Sequence, residues 1–371
     1  FSIRAKVMHK WRVLIAFEYL YGIFYAHLLT YHIFSFLRKS QIENVFLKMS
    51  VSILMPFRNA APWIEETIDS VLIQSIEDWE LIAIDDRSTD ASSQLIEKYR
   101  HPKIKILKNE GSGIIPALQT GLKNATGTFI TRMDADDVMP PKKLEQLREL
   151  LLNSNPRTIA TGHVKYFGEN EISSGYLGYQ NWINNRCLNE DHYDHIFREC
   201  VVASPNWMAR KNVILDDQIF EHLKYPEDYD MTFRWMQKGY QIVSANAVTH
   251  LWREHPTRTS RNSEVYDQES FFKLKLQWFL KLHPEISSLA VFGADRKGKL
   301  TVKHLEEDYQ IHWYDIAFEQ FKSPIMGYEI KDPRSCSEDF AVIAVYPKNL
   351  EMLEKFLEEK GFAIGKNAWY L

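Results

Sequence analysis

VSILMPFRNAAPWIEETIDSVLIQSIEDWELIAIDDRSTD, residues 51–90, holds one complete strand–helix–strand pattern. The apolar VSILM predicts a strand, the segment from Pro62 predicts a helix with one apolar face, and ELIAIDD predicts a second strand. Strands that alternate with helices are typical of a mostly parallel sheet with crossover helices. In such sheets ligand groups gather at the carboxyl ends of the strands, where Asp85 and Asp86 stand.

The same alternation continues toward the carboxyl terminus. KIKIL and TFITRMD predict two further strands, each followed by a helical segment. The second of these strands leads into FITRMDADDVMPP, residues 129–141, where Asp134, Asp136 and Asp137 lie close together. Carboxylates crowded at one strand end repel one another, and a divalent cation bound among them would relieve the repulsion.

A second strand–helix–strand pattern begins at Ser287, in SLAVFGADRKGKLTVKHLEEDYQIHWYDI. It predicts a small Rossmann-like module of about 85 residues. Gly293 and Gly298 fit a dinucleotide-binding turn, but Asp295 replaces the middle glycine and would repel a pyrophosphate. Asp315 fits an acid that binds ribose, so a dinucleotide site stays open as one alternative. The favoured alternative is an accessory module that binds no dinucleotide.

Composition narrows the class of protein. The chain has 371 residues and a formal net charge of -4, which argues against binding nucleic acid through a basic surface. Its three cysteines, Cys187, Cys200 and Cys336, are too widely spaced for a disulfide framework or a zinc pattern. This favours a reducing compartment.

The amino-terminal segment of residues 13–37 is apolar, aromatic and long enough to cross a bilayer. It also contains Glu18, His27 and His32, which a spanning helix tolerates poorly. Three alternatives stay open: an interfacial or packed helix, a spanning anchor, and sequence upstream of a true start at Met49.

The motifs of residues 51–262 occur in the order found in inverting family 2 glycosyltransferases of the GT-A fold, and the chain resembles that family. DDRSTD, residues 85–90, is similar to the family's DDxSxD motif, at the sheet edge that holds the nucleotide base and ribose. For Asp90, a cap at the start of the next helix is the structural alternative. The resemblance implies a set of nucleotide-binding residues: Pro56, Phe57, Asn59, Asp85 and Asp86.

DADD is similar to the family's DxD motif, with Asp134 and Asp136 at its ends. The resemblance implies that these carboxylates hold a divalent cation against the donor diphosphate, and Mn2+ or Mg2+ suits oxygen ligands. The chain also has an Arg-x-His segment like that of the family. This resemblance implies that Arg253 binds the diphosphate and that His255 is a metal ligand or a hydrogen-bond donor to the diphosphate. A solvated acidic turn before a helix is the structural alternative for DADD.

YPEDYD is similar to the family's Glu-Asp pair at the start of a helix. The resemblance implies that Asp228 is the catalytic base that takes the proton of the acceptor hydroxyl. Glu227 and Arg132 are assigned with Asp134 to the donor-binding group. A helix cap is the structural alternative for Asp228, and Asp230 is expected to be structural.

Two tryptophans lie in segments that resemble the acceptor side of a bacterial subgroup of the family. Trp182 and Trp207 are therefore candidates for stacking on a sugar face. Ordinary core packing is the alternative for both.

The predicted fold is α/β: a GT-A domain with a mixed, mostly parallel sheet and helices on both faces, plus the small Rossmann-like domain. The expected boundaries are 1–48 for a hydrophobic extension, 49–285 for the GT-A domain and 286–371 for the accessory domain. The resemblance implies inverting, Mn2+- or Mg2+-dependent sugar transfer from a UDP-sugar donor to a hydroxyl of a glycan, lipid or cell-envelope acceptor.

We expect a cytoplasmic protein with no nucleic-acid partner, and peripheral attachment or an anchor at the inner membrane stays open. Two other functions stay open. One is a non-catalytic sugar-nucleotide-binding or scaffold protein with the same fold. The other is an oxidoreductase centred on the C-terminal module.

Overall fold

The computed structural model describes residues 49–258, 262, 264–345 and 350–371. The hydrophobic segment 13–37 lies outside these residues, so the alternatives for it remain predictions. Across the described part of the chain, no helix has both the length and the apolar composition to cross a bilayer.

The larger sheet has seven strands in the spatial order β3-β2-β1-β4-β6-β5-β7. Its centre is apolar because every residue of β1 is buried. Only the pairs β4–β6 and β5–β6 are antiparallel among the strands described, so the predicted mixed, mostly parallel sheet is confirmed. The strands are β1 (Val51–Phe57), β2 (Trp79–Asp85), β3 (Ile104–Lys108), β4 (Phe129–Arg132), β5 (Thr158–Phe167), β6 (Met208–Arg210) and β7 (Gln241–Arg253).

Helices connect these strands and cover the sheet. The first crossover helix buries Ile64, Ile68 and Val71, which confirms the apolar face predicted from its sequence. The helices of this part are α1 (Ile64–Leu72), α2 (Ser92–Glu97), α3 (Ile114–Asn124), α4 (Lys143–Leu152), α5 (Ser174–Asn189), α6 (Lys211–Asp216), α7 (Glu227–Gln237) and α8 (Gln268–Leu282).

The second sheet has four parallel strands in the order β11-β10-β8-β9. Its elements are β8 (Ser288–Phe292), α9 (Arg296–Leu305), β9 (Gln310–Tyr314), β10 (Ala341–Ile343), α10 (Leu350–Glu359) and β11 (Ala368–Tyr370). A Cβ at Gly298 would lie 1.9 Å from the carbonyl oxygen of Gly293, so this close approach of helix and strand needs glycine. Asp315 holds the same turn, because its carboxylate accepts hydrogen bonds from the amides of Ala294 and Ala317.

Trp207 belongs to the core of the larger sheet. Its side chain is fully buried and packs edge-on against Trp235 and Phe220. The alternative in which Trp207 stacks on a sugar is therefore wrong. Trp182 is half-buried beside Tyr179, with which it stacks at 5.8 Å between ring centroids.

Candidate active site

The DADD segment follows β4, which lies beside β1 near the middle of the larger sheet. The last carboxylate of this segment, that of Asp137, is buried, and each of its two oxygens has a hydrogen-bond partner. Oδ1 accepts a hydrogen bond from the amide of Arg253 at 2.7 Å, and Oδ2 lies 2.9 Å from Nε2 of His250. Burial raises the pKa of Asp137 well above its ordinary value. Asp137 thus fastens the DADD loop to β7, whereas the side chains of Asp134 and Asp136 stay partly exposed.

Asp136 faces the Arg-x-His segment predicted to lie beside it. Its Oδ2 is 2.9 Å from Nε2 of His255, whose Nδ1 is 3.0 Å from the hydroxyl of Thr257. Burial alone would raise the pKa of Asp136, but the hydrogen bond with His255 and the charge of Arg258 outweigh it and lower the pKa. Asp136 therefore stays ionised, as a cation ligand must.

Arg132 connects two parts of the site that are far apart in sequence. Its Nε donates to Oδ1 of Asp134 at 2.7 Å, and its Nη1 donates to Oε1 of Glu227 at 2.9 Å. The other oxygen of Glu227 accepts a hydrogen bond from the hydroxyl of Tyr266 at 2.5 Å. Burial raises the pKa of Glu227, against the opposing charge of Arg132. Arg132 and Glu227 thus form a buried ion pair between the DADD loop and the start of α7.

Asp228, the predicted base, lies in the first turn of α7. Pro226 occupies the N-cap position and no side chain caps the helix, so the capping alternative for Asp228 is wrong. Its Oδ2 accepts a hydrogen bond from the hydroxyl of Ser204, and burial raises its pKa. Asp230 is structural as expected, since its carboxylate accepts hydrogen bonds from Trp278 and Arg234.

The predicted nucleotide-binding residues meet at the carboxyl ends of β1 and β2. Phe57 pairs in register with Asp85, and Pro56 precedes it in β1. Asp85 accepts hydrogen bonds from the amide of Ser88 at 2.8 Å and from the hydroxyl of Ser93 at 3.0 Å. Asp85 therefore stabilises the loop that follows β2 at this edge of the sheet.

Two further residues of this set order neighbouring loops. Asp86 is buried and accepts hydrogen bonds from the side chain of Asn109 at 2.7 Å and the amide of Gly113 at 2.9 Å. Asn59, whose φ is 52°, accepts a hydrogen bond from the amide of Thr89 at 2.8 Å. Both side chains stabilise the loops at this edge of the sheet through these contacts.

Arg253 stabilises the conformation of the DADD loop. Its Nε donates to the carbonyl of Asp136 at 2.6 Å, and its Nη2 lies 2.7 Å from Oε2 of Glu66 on α1. Its guanidinium also lies over the ring of Phe167, 4.5 Å from the centroid. The predicted diphosphate contact would therefore be made by a guanidinium that already holds this loop.

The carboxylates of the DxD motif suit a divalent cation. The side chains of Asp134 and Asp136 are 24% and 28% exposed, whereas that of Asp137 is 2% exposed. No three His, Cys, Asp or Glu side chains converge on one metal position among the residues described. A cation held by one or two carboxylates and completed by substrate phosphates and water needs no such cluster. The residues present therefore fit Mn2+ or Mg2+.

Sequence reasoning missed several residues that the structure brings to this site. Ser204 contacts Asp228 across 24 positions, and Tyr266 contacts Glu227 across 39. Trp63 stacks on His255 across an even longer separation. A local pattern carries no signal for such contacts, because they depend on how elements pack.

Comparison with solved structures identifies the fold. The crystal structure of Staphylococcus aureus TarS residues 1–349 in complex with UDP-GlcNAc aligns with 70% of this chain and 71% of its own, at a TM-score of 0.51 and 19% identity. The aligned part of the chain therefore has a GT-A fold.

Comparison with sequences identifies the family. Residues 52–217 match the model of the family described as Glycosyl transferase family 2. This part of the chain is therefore a family 2 glycosyltransferase domain, and the protein is a glycosyltransferase that takes its sugar from a nucleotide-sugar donor.

Individual relatives agree with this assignment. An uncharacterized glycosyltransferase of Haemophilus influenzae is 26% identical over 280 residues, which are 70% of this chain and 85% of the relative. The Escherichia coli UDP-Glc:alpha-D-GlcNAc-diphosphoundecaprenol beta-1,3-glucosyltransferase WfgD is 27% identical over 62% of this chain and 83% of its own. Uncharacterized glycosyltransferase EpsJ of Bacillus subtilis is 38% identical over 56% of this chain and 61% of its own.

Proposed function

We propose that this glycosyltransferase moves a sugar from a UDP-sugar donor, with inversion at the anomeric carbon, to a hydroxyl of a glycan, lipid or cell-envelope acceptor. The observation that carries the proposal is the double contact of Arg132, 2.7 Å from Asp134 and 2.9 Å from Glu227. Through it the DADD loop and the start of α7 form one site. WfgD is named for a UDP-glucose donor and a lipid-linked sugar acceptor, and TarS binds UDP-GlcNAc, which supports the donor and acceptor classes.

Asp228 is the proposed catalytic base. An inverting transfer needs one group that takes the proton from the acceptor hydroxyl while its oxygen attacks the anomeric carbon. Burial raises the pKa of Asp228, which makes it a stronger base than an exposed aspartate, and the Ser204 hydroxyl orients its carboxylate. The buried pair of Arg132 and Glu227 fixes the helix start that carries it.

On the donor side, we assign Asp134 and Asp136 to a divalent cation, with His255 beside them. Mn2+ or Mg2+ bound there would neutralise the diphosphate and stabilise the charge of the leaving group. Arg253 adds positive charge at the same loop. The base and ribose belong to the edge formed by β1 and β2, at a set of residues already described: Pro56, Phe57, Asn59, Asp85 and Asp86.

The test is a screen of UDP-sugars for Mn2+-dependent donor hydrolysis, because this slow reaction needs no acceptor. We expect hydrolysis that EDTA abolishes, that is lost in Asp136→Ala, and that falls by about 10²–10⁴-fold in Asp228→Asn. Asp216→Asn, an exposed carboxylate at the end of α6, is the matched control and should behave as the wild type. Circular dichroism checks that each variant is folded. Full hydrolysis by both site variants, or in the presence of EDTA, would contradict the proposal.

A further inference from the structure

The ring of Trp63 lies flat against the imidazole of His255. Their ring centroids are 3.9 Å apart and their planes differ by 27°. Both imidazole nitrogens are also engaged, Nε2 with Asp136 at 2.9 Å and Nδ1 with Thr257 at 3.0 Å. The histidine is therefore held at its two edges and on one face.

The loop that carries Trp63 is fixed by the motif on the nucleotide side of the site. The amide of Ala60 donates to the hydroxyl of Ser92 at 2.8 Å, and the amide of Ala61 donates to Oδ2 of Asp90 at 3.0 Å. The other oxygen of Asp90 accepts a hydrogen bond from the amide of Ser92 at 3.0 Å. Asp90 thus ties the β2–α2 loop to the β1–α1 loop directly before Trp63.

One face of α1, the helix that follows Trp63, contacts the DADD loop. The hydroxyl of Thr67, one turn along α1, donates to the carbonyl oxygens of Ala135 at 3.0 Å and Asp137 at 2.8 Å. One turn further, the Ser70 hydroxyl accepts a hydrogen bond from the amide of Met139 at 3.0 Å. Residues at this spacing lie on one face of a helix. The first turns of α1 therefore stay in contact with the DADD segment, and the Trp63–His255 stack lies at the end of this contact.

We propose that Trp63 is a positioning residue that fixes the His255 imidazole toward Asp136 and so joins the nucleotide loop to the metal side of the site. The inference rests on the proposed function, since it gives His255 a place at the cation. A tryptophan suits this role because its large rigid face makes favourable stacked contacts with another ring. Groups that orient the residues around a metal typically change metal affinity or activity by about 10–100-fold when they are removed.

The experiment compares three variants of the full chain. Trp63→Leu removes the flat face, Trp63→Phe keeps a ring there, and Trp79→Leu is the matched control. Trp79 also stacks on a histidine, His101, at 5.6 Å between centroids, but it begins β2 at the opposite end of the strand from Asp85. Binding of Mn2+ to protein saturated with UDP is measured by calorimetry. The ring nitrogens of His255 are followed by NMR on metal-free protein labelled with 15N-histidine.

We expect the Kd for Mn2+ to rise about tenfold in Trp63→Leu, to stay near the wild-type value in Trp63→Phe, and to be unchanged in Trp79→Leu. The His255 nitrogen signals should shift toward those of a solvent-exposed imidazole in Trp63→Leu alone. If Trp63→Leu does not fold, Trp63→Met provides the same comparison.

Wild-type Mn2+ affinity together with unchanged His255 signals in Trp63→Leu would overturn the inference. Failure of the proposed function gives a different result, because the wild type itself would then take up no Mn2+ with UDP. In that case the inference is tested only by the NMR comparison of metal-free wild type and Trp63→Leu, and unaltered His255 signals in the variant would overturn it.

Discussion

Ser204 and Asp228 form the contact that most directly sets the chemistry of the proposed base. Burial raises the pKa of Asp228 above its ordinary value of 3.8, while the hydrogen bond from the Ser204 hydroxyl lowers it in part. A base works only when it is unprotonated, so activity is lost as the pH falls through this raised pKa. Protonation of Asp228 therefore contributes to the acid limb of the pH profile.

Ser204→Ala is expected to move that acid limb to higher pH. The variant loses the hydrogen bond that lowers the pKa of Asp228, so the carboxylate takes up its proton earlier as the solution is acidified. Donor hydrolysis, measured as kcat/KM across the acid range, should show the shift, with most of the rate recovered at higher pH. An acid limb that stays in place while the rate falls equally at all pH values would mean that Ser204 does not act through the charge of Asp228.

At the scale of elements, helix α1 stabilises the DADD loop through two contacts of different kinds. Thr67 is fully buried and donates to two loop carbonyls, whereas Glu66 is 59% exposed on the side chain and pairs with Arg253. Leaving buried carbonyls without a donor costs about 1–3 kcal/mol. An exposed ion pair contributes only about 0–1 kcal/mol.

Thr67→Val should therefore lower the free energy of unfolding more than Glu66→Gln does. Valine keeps the shape of threonine, so the difference reports on the lost hydroxyl rather than on packing. Urea unfolding of both variants, analysed with a common slope, provides the comparison. An equal loss in the two variants would show that the hydroxyl of Thr67 is not what holds the loop.

The sequence predicts the elements well and their contacts poorly. Buried strands such as VSILM and the apolar face of α1 follow from periodicity, because burial leaves a repeating pattern in the chain. Asp85 and Asp134 could be placed at one edge of the sheet since parallel strands end on the same side. Nothing local predicts that Arg132 meets Glu227 across 95 positions, because that pairing depends on where α7 packs.

At the scale of the whole molecule, the two sheets share an apolar core. Phe279 of α8 is fully buried and lies 5.3 Å between centroids from Phe197, beside the larger sheet, and 5.3 Å from Trp369 of the smaller sheet. Val51–Leu371 forms one compact unit. A division between residues 285 and 286 remains a prediction, but a shared core of this kind links the stability of the two parts.

We therefore expect residues 51–371 to unfold in one cooperative transition, and Leu357→Ala tests this. Leu357 is buried in a cluster confined to the smaller sheet, far in sequence from the donor site. Its truncation should cost about 2–5 kcal/mol and lower the whole transition, whether this is followed by calorimetry or by the loss of UDP binding on heating. If the smaller sheet were an independent domain, Leu357→Ala would lower a separate transition and leave the temperature at which UDP binding is lost unchanged. Phe279→Ala distinguishes the two cases further, because removal of the shared ring should weaken both sheets together when the core is common.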